Sequence, residues 1–461
     1  MKLQRNILLI FLLTFIFASG VYSATPPKYG GILRFAVSQR HISLDPITIL
    51  TSTEYFIADS IFDGLIRYGT DKNVLPGIAS SWEVSEDQKV FTFHIADSAK
   101  FHNGRTITAN DVKYSLQRSI KNAEHGFLAQ SVLKLVSGSD SYRSGKSNSV
   151  WGLQVLDKST IQISLAQADE EFLSKLDNPL TWVIPKDSAE NEDFDENPIG
   201  SGPFKIAPSS DTEDEILNLV ANEDYIWGKP YLDGIIFVSA SDFGTLLLRF
   251  ETGDLDCLEV PNIEIGRFRN DPGWSLQLDS LTDSQLVCIR KNRKAFAEKT
   301  KISPLLRYGV DVASILEMLY NQGRSVSDRS YQPERAKKEA GEFNNNRIKL
   351  IVLDLEDASK IADRISFDLL KAGVVLDIKS LDRQGFYKSF TDGSYSLSLF
   401  SLPSSYNSVD NINKNIYIPL FYQNTNFLQK PEVQKLSESY CDGVIRLDDI
   451  YILKSQKTTQ R

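Results

Sequence analysis

The chain has 461 residues, with 51 Lys and Arg against 60 Asp and Glu and a formal charge of −9. That length exceeds one typical domain, so two or three are expected. A moderately acidic chain without basic runs argues against a nucleic-acid partner, whose binding rests on neutralising phosphates with Lys and Arg.

The first residues address the compartment. Lys2 and Arg5 precede the apolar run ILLIFLLTFIFA, residues 7–18, and VYSA follows. A basic start, an apolar core and a V-x-S site spell a secretory signal peptide. The run falls short of the ~20 residues a spanning helix needs. Residues 1–23 are therefore expected to be removed after Ser23, taking the charge from −9 to −11 with the loss of Lys2 and Arg5. The first cysteine is Cys257, so no lipid anchor is expected at the cleavage site, and the mature chain is expected in the periplasm. Three cysteines in an exported chain allow at most one disulfide. Cys257 and Cys288 sit in strand-like runs and can either pair or stay as buried thiols.

Taken in chain order, GGILRFAV reads as a strand, and STEYFIADSIFDGLIRY has helical spacing from Tyr55 through Leu65. KVFTFHI alternates, with Phe91, Phe93 and Ile95 on one face and Thr92 and His94 on the other, which predicts a half-buried strand. FHNGRT is a turn tightest at Gly104. The helix TITANDVKYSLQRSI starts at Thr108, with Asp111 closing a capping box and Val112, Leu116 and Ile120 forming its buried stripe. The polarity of this stretch, His94 and His102 included, is what a strand, a turn and a capped helix demand.

DGIIFVSA reads as a strand, and FGTLLLRFETGDLDCLEV as a helix stopped by Gly253 and then a strand. YQPERAKKEAG is a short helix, RIKLIVL a strand, ASKIADRISFDLLKAG an amphipathic helix on Ile361, Ile365 and Leu369, and VVLDIKSL a strand. Helix, glycine, strand, repeated, indicates crossover units on an open sheet. The acidic clusters ADEEF, NEDFDEN and TEDEI lie between elements as solvated loops.

Signals for chemistry are weak. His41, His94, His102 and His125 are spread out without metal-ligand spacing. There is no G-x-S-x-G and no phosphate-binding loop, and Glu170 and Glu171 adjoin in a loop. No enzyme, metal or cofactor is expected.

Several motifs occur in a familiar order: YGGILRFAV…SLDP, FDGLIRY, VLPGIASSWEVSEDQKVFTFHIADSAKFHNGRTITANDVKYSLQR, NPIGSGPFKI, NEDYIWGKPYLDGIIF and YQPERAKKEAG. In these the chain resembles the extracellular solute-binding proteins of family 5, the oligopeptide-, dipeptide- and nickel-binding components of ABC importers. The likeness is strong over about residues 28–258, weaker to about 405, and returns at IPLFYQNTNFLQKPEVQKLSESYCDGVIRLDDIYILK. It implies an α/β, two-lobed periplasmic binding protein type II fold with an extra subdomain on lobe I. Lobe I would take residues 24–238 with the extra subdomain at about 48–165, a shortened lobe II residues 239–415, and residues 416–461 would return to lobe I.

The same resemblance implies a site. Ser38, Gln39, Arg40 and His41 would face the cleft, with Arg40 meeting an anionic group of the ligand. Gly200, Ser201 and Gly202 would line it as a turn, and Tyr417 would mark the hinge return. The family's W-x-x-D-Y-x-D-P element, which anchors a peptide amino terminus, stands here as FSLPSSYNSVD, with Ser404 and Ser405 in its place and Asp410 the nearby acid. The expected partners are a peptide-like solute and an ABC permease of the inner membrane, with the protein itself a monomer. Two alternatives stay open: a non-peptide solute such as a metal chelate, an oligosaccharide or a cell-wall fragment, and a sensory or protein-interaction module on the same fold.

Overall fold

The computed structural model describes residues 28–69, 73–122, 133–208, 215–240, 242–296, 301–326, 330–341, 343, 347–403, 416–436, 438–441 and 444–453. The signal segment, His125 and Asp410 lie outside them. Among the described residues the largest sheet has 11 strands. One end is a parallel crossover unit. Strands Arg347–Leu353 and Val375–Leu381 run parallel, joined by the helix Glu356–Lys371, whose Ile361, Ile365 and Leu369 are buried. At the other end Ile32–Ala36 runs parallel to both Gly234–Val238 and Cys257–Val260.

Two long strands join these ends. Leu278–Lys291 and Tyr417–Gln429 pair antiparallel from Leu278 opposite Leu428 to Arg290 opposite Tyr417. Their register shifts between Leu281 and Gln285, where Asp283 takes a left-handed φ of 51°. Apolar cores lie on both sides of that shift. Leu33, Phe35, Phe56, Phe237 and Phe427 pack together on one side, and Leu305, Ile315, Leu350, Leu369 and Leu420 on the other. The molecule is thus two halves sharing a strand pair.

The helix Phe243–Thr252 and strand Cys257–Val260, expected in the second half, pack with the first. Cys257 pairs with Phe35, and Leu246 and Phe250 join Ala36 and Val238. The reason is main-chain pairing: Cys257–Val260 completes the hydrogen bonding of Ile32–Ala36. The chain therefore passes to the second half between Leu281 and Gln285 rather than at 239. At the C-terminus Ile445, Leu447 and Ile450 enter the first core. Arg446 is buried there against Asp177 at 2.8 Å and Asp59 at 3.4 Å. Burial pushes the Asp59 carboxyl up, and the Arg446 guanidinium draws it back down.

A four-stranded sheet carries its own core on the first half. Val90–Ile95 alternates as expected, burying Phe91, Phe93 and Ile95. These pack with Val112, Leu116 and Ile120 of the helix Ala109–Lys121. At its start Asp111 accepts from the Thr108 N–H at 2.9 Å and hydroxyl at 2.7 Å, and Arg105 grips the same carboxylate at 2.8 Å. His94 leans to solvent, 3.7 Å from Glu83.

The helix expected from Tyr55 to Leu65 stops earlier, spanning Ser52–Asp59. The carbonyls that would extend it are taken: Ser60 accepts from Phe204 N at 2.9 Å and Ile61 from Gly202 N at 2.8 Å. A Cβ on Gly200 would lie 1.9 Å from the Ile61 oxygen, so only glycine fits.

His102 fastens this turn. Its Nδ1 accepts from Gly200 N at 3.3 Å and its Nε2 donates to the Gly202 carbonyl at 3.0 Å, an arrangement only a neutral ring satisfies. Burial pushes its pKa down to about 4 from 6.5. Above pH 6.5 folded and unfolded histidines are both neutral. As pH falls from 6.5 toward 4 only the unfolded ring takes a proton, so stability drops, by up to ~3 kcal/mol. Urea unfolding of the protein and of His102→Gln across this window should show the steeper loss in the native chain. Parallel pH profiles would remove the neutral-ring role.

Candidate ligand cleft between the halves

The parallel strands of both halves end at one place. Ser38 and Gln39 follow Ile32–Ala36, Asp242 follows Gly234–Val238, Asn262 follows Cys257–Val260, and Asp354 to Asp357 follow Arg347–Leu353. All of these line one cavity of about 370 Å3. Gln285 and Gln423 to Asn426 of the shared strand pair also line it. Ligands of open α/β sheets gather outside the carboxyl ends of the strands, where loops diverge and main-chain groups are free.

The walls are acidic. Asp242, Glu259, Asp354, Glu356 and Asp357 line the cavity, and among the described residues no Lys, Arg or His does. Glu259 accepts from the Ser38 hydroxyl at 3.0 Å and N–H at 3.3 Å, and from Thr53 at 3.5 Å. Burial raises its pKa, and the Ser38 bonds oppose that rise. Asp357 of the second half accepts from Asn262 N at 2.8 Å, Asn262 Nδ2 at 3.1 Å and Ile263 N at 3.1 Å of the first. Burial raises its pKa as well.

A neighbouring cavity of about 260 Å3 shares Ser38, Gln39 and Leu353 to Leu355 and adds Arg40, His41, Asp382 and Arg383. Its character is basic at the rim. Arg40 is exposed and donates to the Ala240 carbonyl at 3.4 Å. Arg383, at the start of the second-half helix Arg383–Asp392, forms an ion pair with the fully buried Glu54 of the first half and donates to the Thr48 carbonyl at 3.0 Å. Glu54 also accepts from Ser43 N at 3.1 Å and Leu50 N at 2.7 Å. Two latches, Glu54 with Arg383 and Asn262 with Asp357, therefore link the halves beside the cavities.

The residues singled out from the sequence separate here. Ser38 and Gln39 line both cavities, and Arg40 and His41 line the second. Gly200, Ser201 and Gly202 line neither; they are buried against Ile61 and His102. Tyr417 lines neither; it is buried edge-on against the Phe400 ring at 6.0 Å, and Phe400 lines the first cavity. Asp410 falls outside the described residues. Cys257 and Cys288 are both buried and are not bridged to each other. Among the described residues no three His, Cys, Asp or Glu converge on a point that could hold a metal ion.

Glu259, Asp357, Gln285 and Gln423 were not singled out. The rule that ligands gather after parallel strands would have flagged Asp357, four residues beyond the end of Arg347–Leu353. Glu259 gives a fainter signal, a lone acid in an apolar strand.

A cleft walled by strand ends from two halves, with latches between them, defines a two-lobed solute receptor. The chain belongs to the bacterial extracellular solute-binding proteins, family 5, whose middle region matches residues 73–420. It is 27% identical over 394 residues to the dipeptide-binding protein of Escherichia coli K12, covering 75% of this chain and 71% of that protein. It is 24% identical over 392 residues to the nickel-binding periplasmic protein of the same organism, covering 76% and 71%. The fold matches that of AgaA from A. tumefaciens R10, solved with agropinic acid, at a TM-score of 0.76 and 20% identity over 92% of this chain and 99% of that one. Membership makes this a solute-binding protein of the ABC-transporter type and not an enzyme. Among the described residues no helix is long and apolar enough to cross a membrane.

Replacing Arg383 with Ala leaves Glu54 with only main-chain donors and cuts one link between the halves. Arg383→Ala should lower the unfolding free energy by about 2 kcal/mol and enlarge the radius of gyration in X-ray scattering. An unchanged radius would deny the pair a role in holding the halves together.

Proposed function

We propose that the protein is the periplasmic receptor of an ABC importer, capturing a small peptide-like solute between its halves and delivering it to an inner-membrane permease. It acts as a monomer, exported by removal of residues 1–23. The observation that carries this is the cavity itself: its walls come from both halves, so a solute touching both favours the closed arrangement over the open one. The permease recognises that closed form.

Energies of the right order are at hand. Micromolar capture needs about 8 kcal/mol, which several hydrogen bonds of ~1 kcal/mol each and buried apolar area supply. The main chain around Ser38 and Gln39 offers such bonds to a peptide whatever its side chains. Arg40 takes the solute's anionic end from the second cavity. A volume of about 370 Å3 lies at the small end of the range for ligand pockets, which favours a short peptide. The names of relatives, dipeptide-binding among them, support the same choice.

A non-peptide solute is the second reading. It is favoured by the replacement of the family's peptide-anchoring element with FSLPSSYNSVD.

Mass spectrometry of material released from the purified protein by denaturation separates the two. Short peptides are expected, and adding them back at a hundred times Kd should stabilise the protein by about 2.7 kcal/mol. Arg40→Glu should weaken that binding about tenfold, an effect abolished when the peptide carboxylate is amidated. Another class of molecule, or none, would refute peptide capture; equal affinity in Arg40→Glu would refute that residue's part.

A further inference from the structure

Away from the cleft, where the C-terminal segment meets the first half, charged side chains are buried together. The helix Ser52–Asp59 ends on Asp59, and Asp63 lies in the turn after it. Arg67 sits on the strand Ile66–Tyr68, and Asp177 follows the short helix Phe172–Lys175. Arg446 and Asp448 come from the C-terminal segment, and the buried Tyr225 and neighbouring Asp449 complete the surroundings. None of these residues lines either solute cavity.

The charges do not balance, since Asp59, Asp63, Asp177 and Asp448 face only Arg67 and Arg446. Arg67 donates to Asp448 at 2.8 Å. Arg446 donates to Asp177 at 2.8 Å, and Asp177 also accepts from Tyr68 N at 2.9 Å. The other two acids are held less closely. Asp59 has Arg446 at 3.4 Å, and Asp63 has Arg67, whose Nε stands 3.8 Å from its Oδ1, beyond hydrogen-bond reach. Among the described residues nothing hydrogen-bonds Asp63 Oδ2. Asp63 is also the most enclosed of the set, its side chain 5% exposed against 16% for Asp448.

An ionised acid held from water without a donor is costly, and a proton removes that cost. Burial accordingly raises the Asp63 pKa to about 7 from 3.8, with Arg67 opposing the rise and Asp59 adding to it. The C-terminal segment is the part best placed to give way. Its strands Val444–Ile445 and Tyr451–Ile452 are two residues each, and beyond Ile445, Leu447 and Ile450 it is tied by Arg446 N to Ser439 at 2.9 Å and Leu453 N to Glu432 at 2.8 Å. Short pairings of this kind open at low cost. Withdrawing the segment takes Arg446 and Asp448 away and admits water to Asp63.

We propose that this junction is a proton-dependent clasp: with Asp63 protonated the segment 444–453 stays seated on the first half, and loss of that proton favours its release. The clasp stands whatever solute the cleft takes. Its direction follows from linkage. Below pH 3.8 Asp63 is protonated whether the segment is seated or released, and the clasp contributes fully. Between 3.8 and about 7 only the seated form keeps the proton, so the contribution shrinks as pH rises and is gone above about 7. This runs opposite to His102, whose contribution is lost in acid.

Hydrogen exchange of the amides in 444–453, read by mass spectrometry for the native protein and for Asp63→Asn, tests the clasp. Asn has the shape of the neutral acid, and the ratio of the two proteins at each pH cancels the intrinsic exchange rate. From pH 5 to 7 the native opening constant should rise at least about tenfold over that of the variant and level off by pH 8. A constant ratio from pH 5 to 8 would overturn the clasp. If Asp63→Asn does not fold, the native chain supplies the comparison. Opening of 444–453 should then gain about tenfold on opening of Val90–Ile95 over the same range, and no gain would overturn it.

Discussion

Both halves hang on one antiparallel pair of strands. Leu278–Lys291 and Tyr417–Gln429 start in one core and end in the other, and the pairing changes register in the middle. At that point Asp283 donates its N–H to the Asn424 side chain at 3.0 Å, and Ser284 and Thr425 hydroxyls share a bond of 2.7 Å. Side chains thus replace part of the main-chain ladder where it is interrupted. A break of this kind bends a strand pair, and beside it Leu50 and Leu180 of the first half pack with Leu286, Phe386 and Phe400 of the second. Gln285 and Gln423 stand beside the break and line the cavity, so the cavity wall includes the strand pair that joins the halves.

The same architecture explains why the acids gather in the cleft. Parallel strands from both ends of the large sheet bring their carboxyl ends to one cavity, and each is followed by a polar turn: Ser38, Asp242, Asn262, Asp354. Some acids in these turns are structural, as Asp357 is when it holds the Asn262 turn of the opposite half. Glu259 has less to hold, and burial disfavours its charged form. The contacts between the halves beside the cavity are thus hydrogen bonds and an ion pair of buried polar groups, Asn262 with Asp357 and Glu54 with Arg383.

Local elements were readable because their patterns are short-range. Alternation marked Val90–Ile95, Thr108 and Asp111 marked the start of Ala109–Lys121, and Gly253, at a φ of 85°, marked the end of Phe243–Thr252. The two-half plan came from the resemblance, since no local pattern says which core a strand joins. The same limit misplaced Cys257–Val260, whose home is set by pairing with Phe35, more than 200 residues earlier. His102, Gly200 and Gly202 lie in two separate motifs, and only the backbone geometry shows that the ring fastens the glycine turn against Ile61. Glu259 escaped notice because a lone acid in a strand ordinarily faces solvent. Pairing on both sides, to Ile32–Ala36 and to Tyr417–Gln429, is what turns it to the cavity.

Pulsed electron paramagnetic resonance between spin labels at Leu156→Cys and Leu370→Cys, exposed positions on opposite halves, measures the gap directly. In protein stripped by unfolding and refolding, the distance distribution should be broad, and restoring the released solute should collapse it to one shorter distance. An identical distribution with and without solute would contradict a receptor that works by closing on its guest.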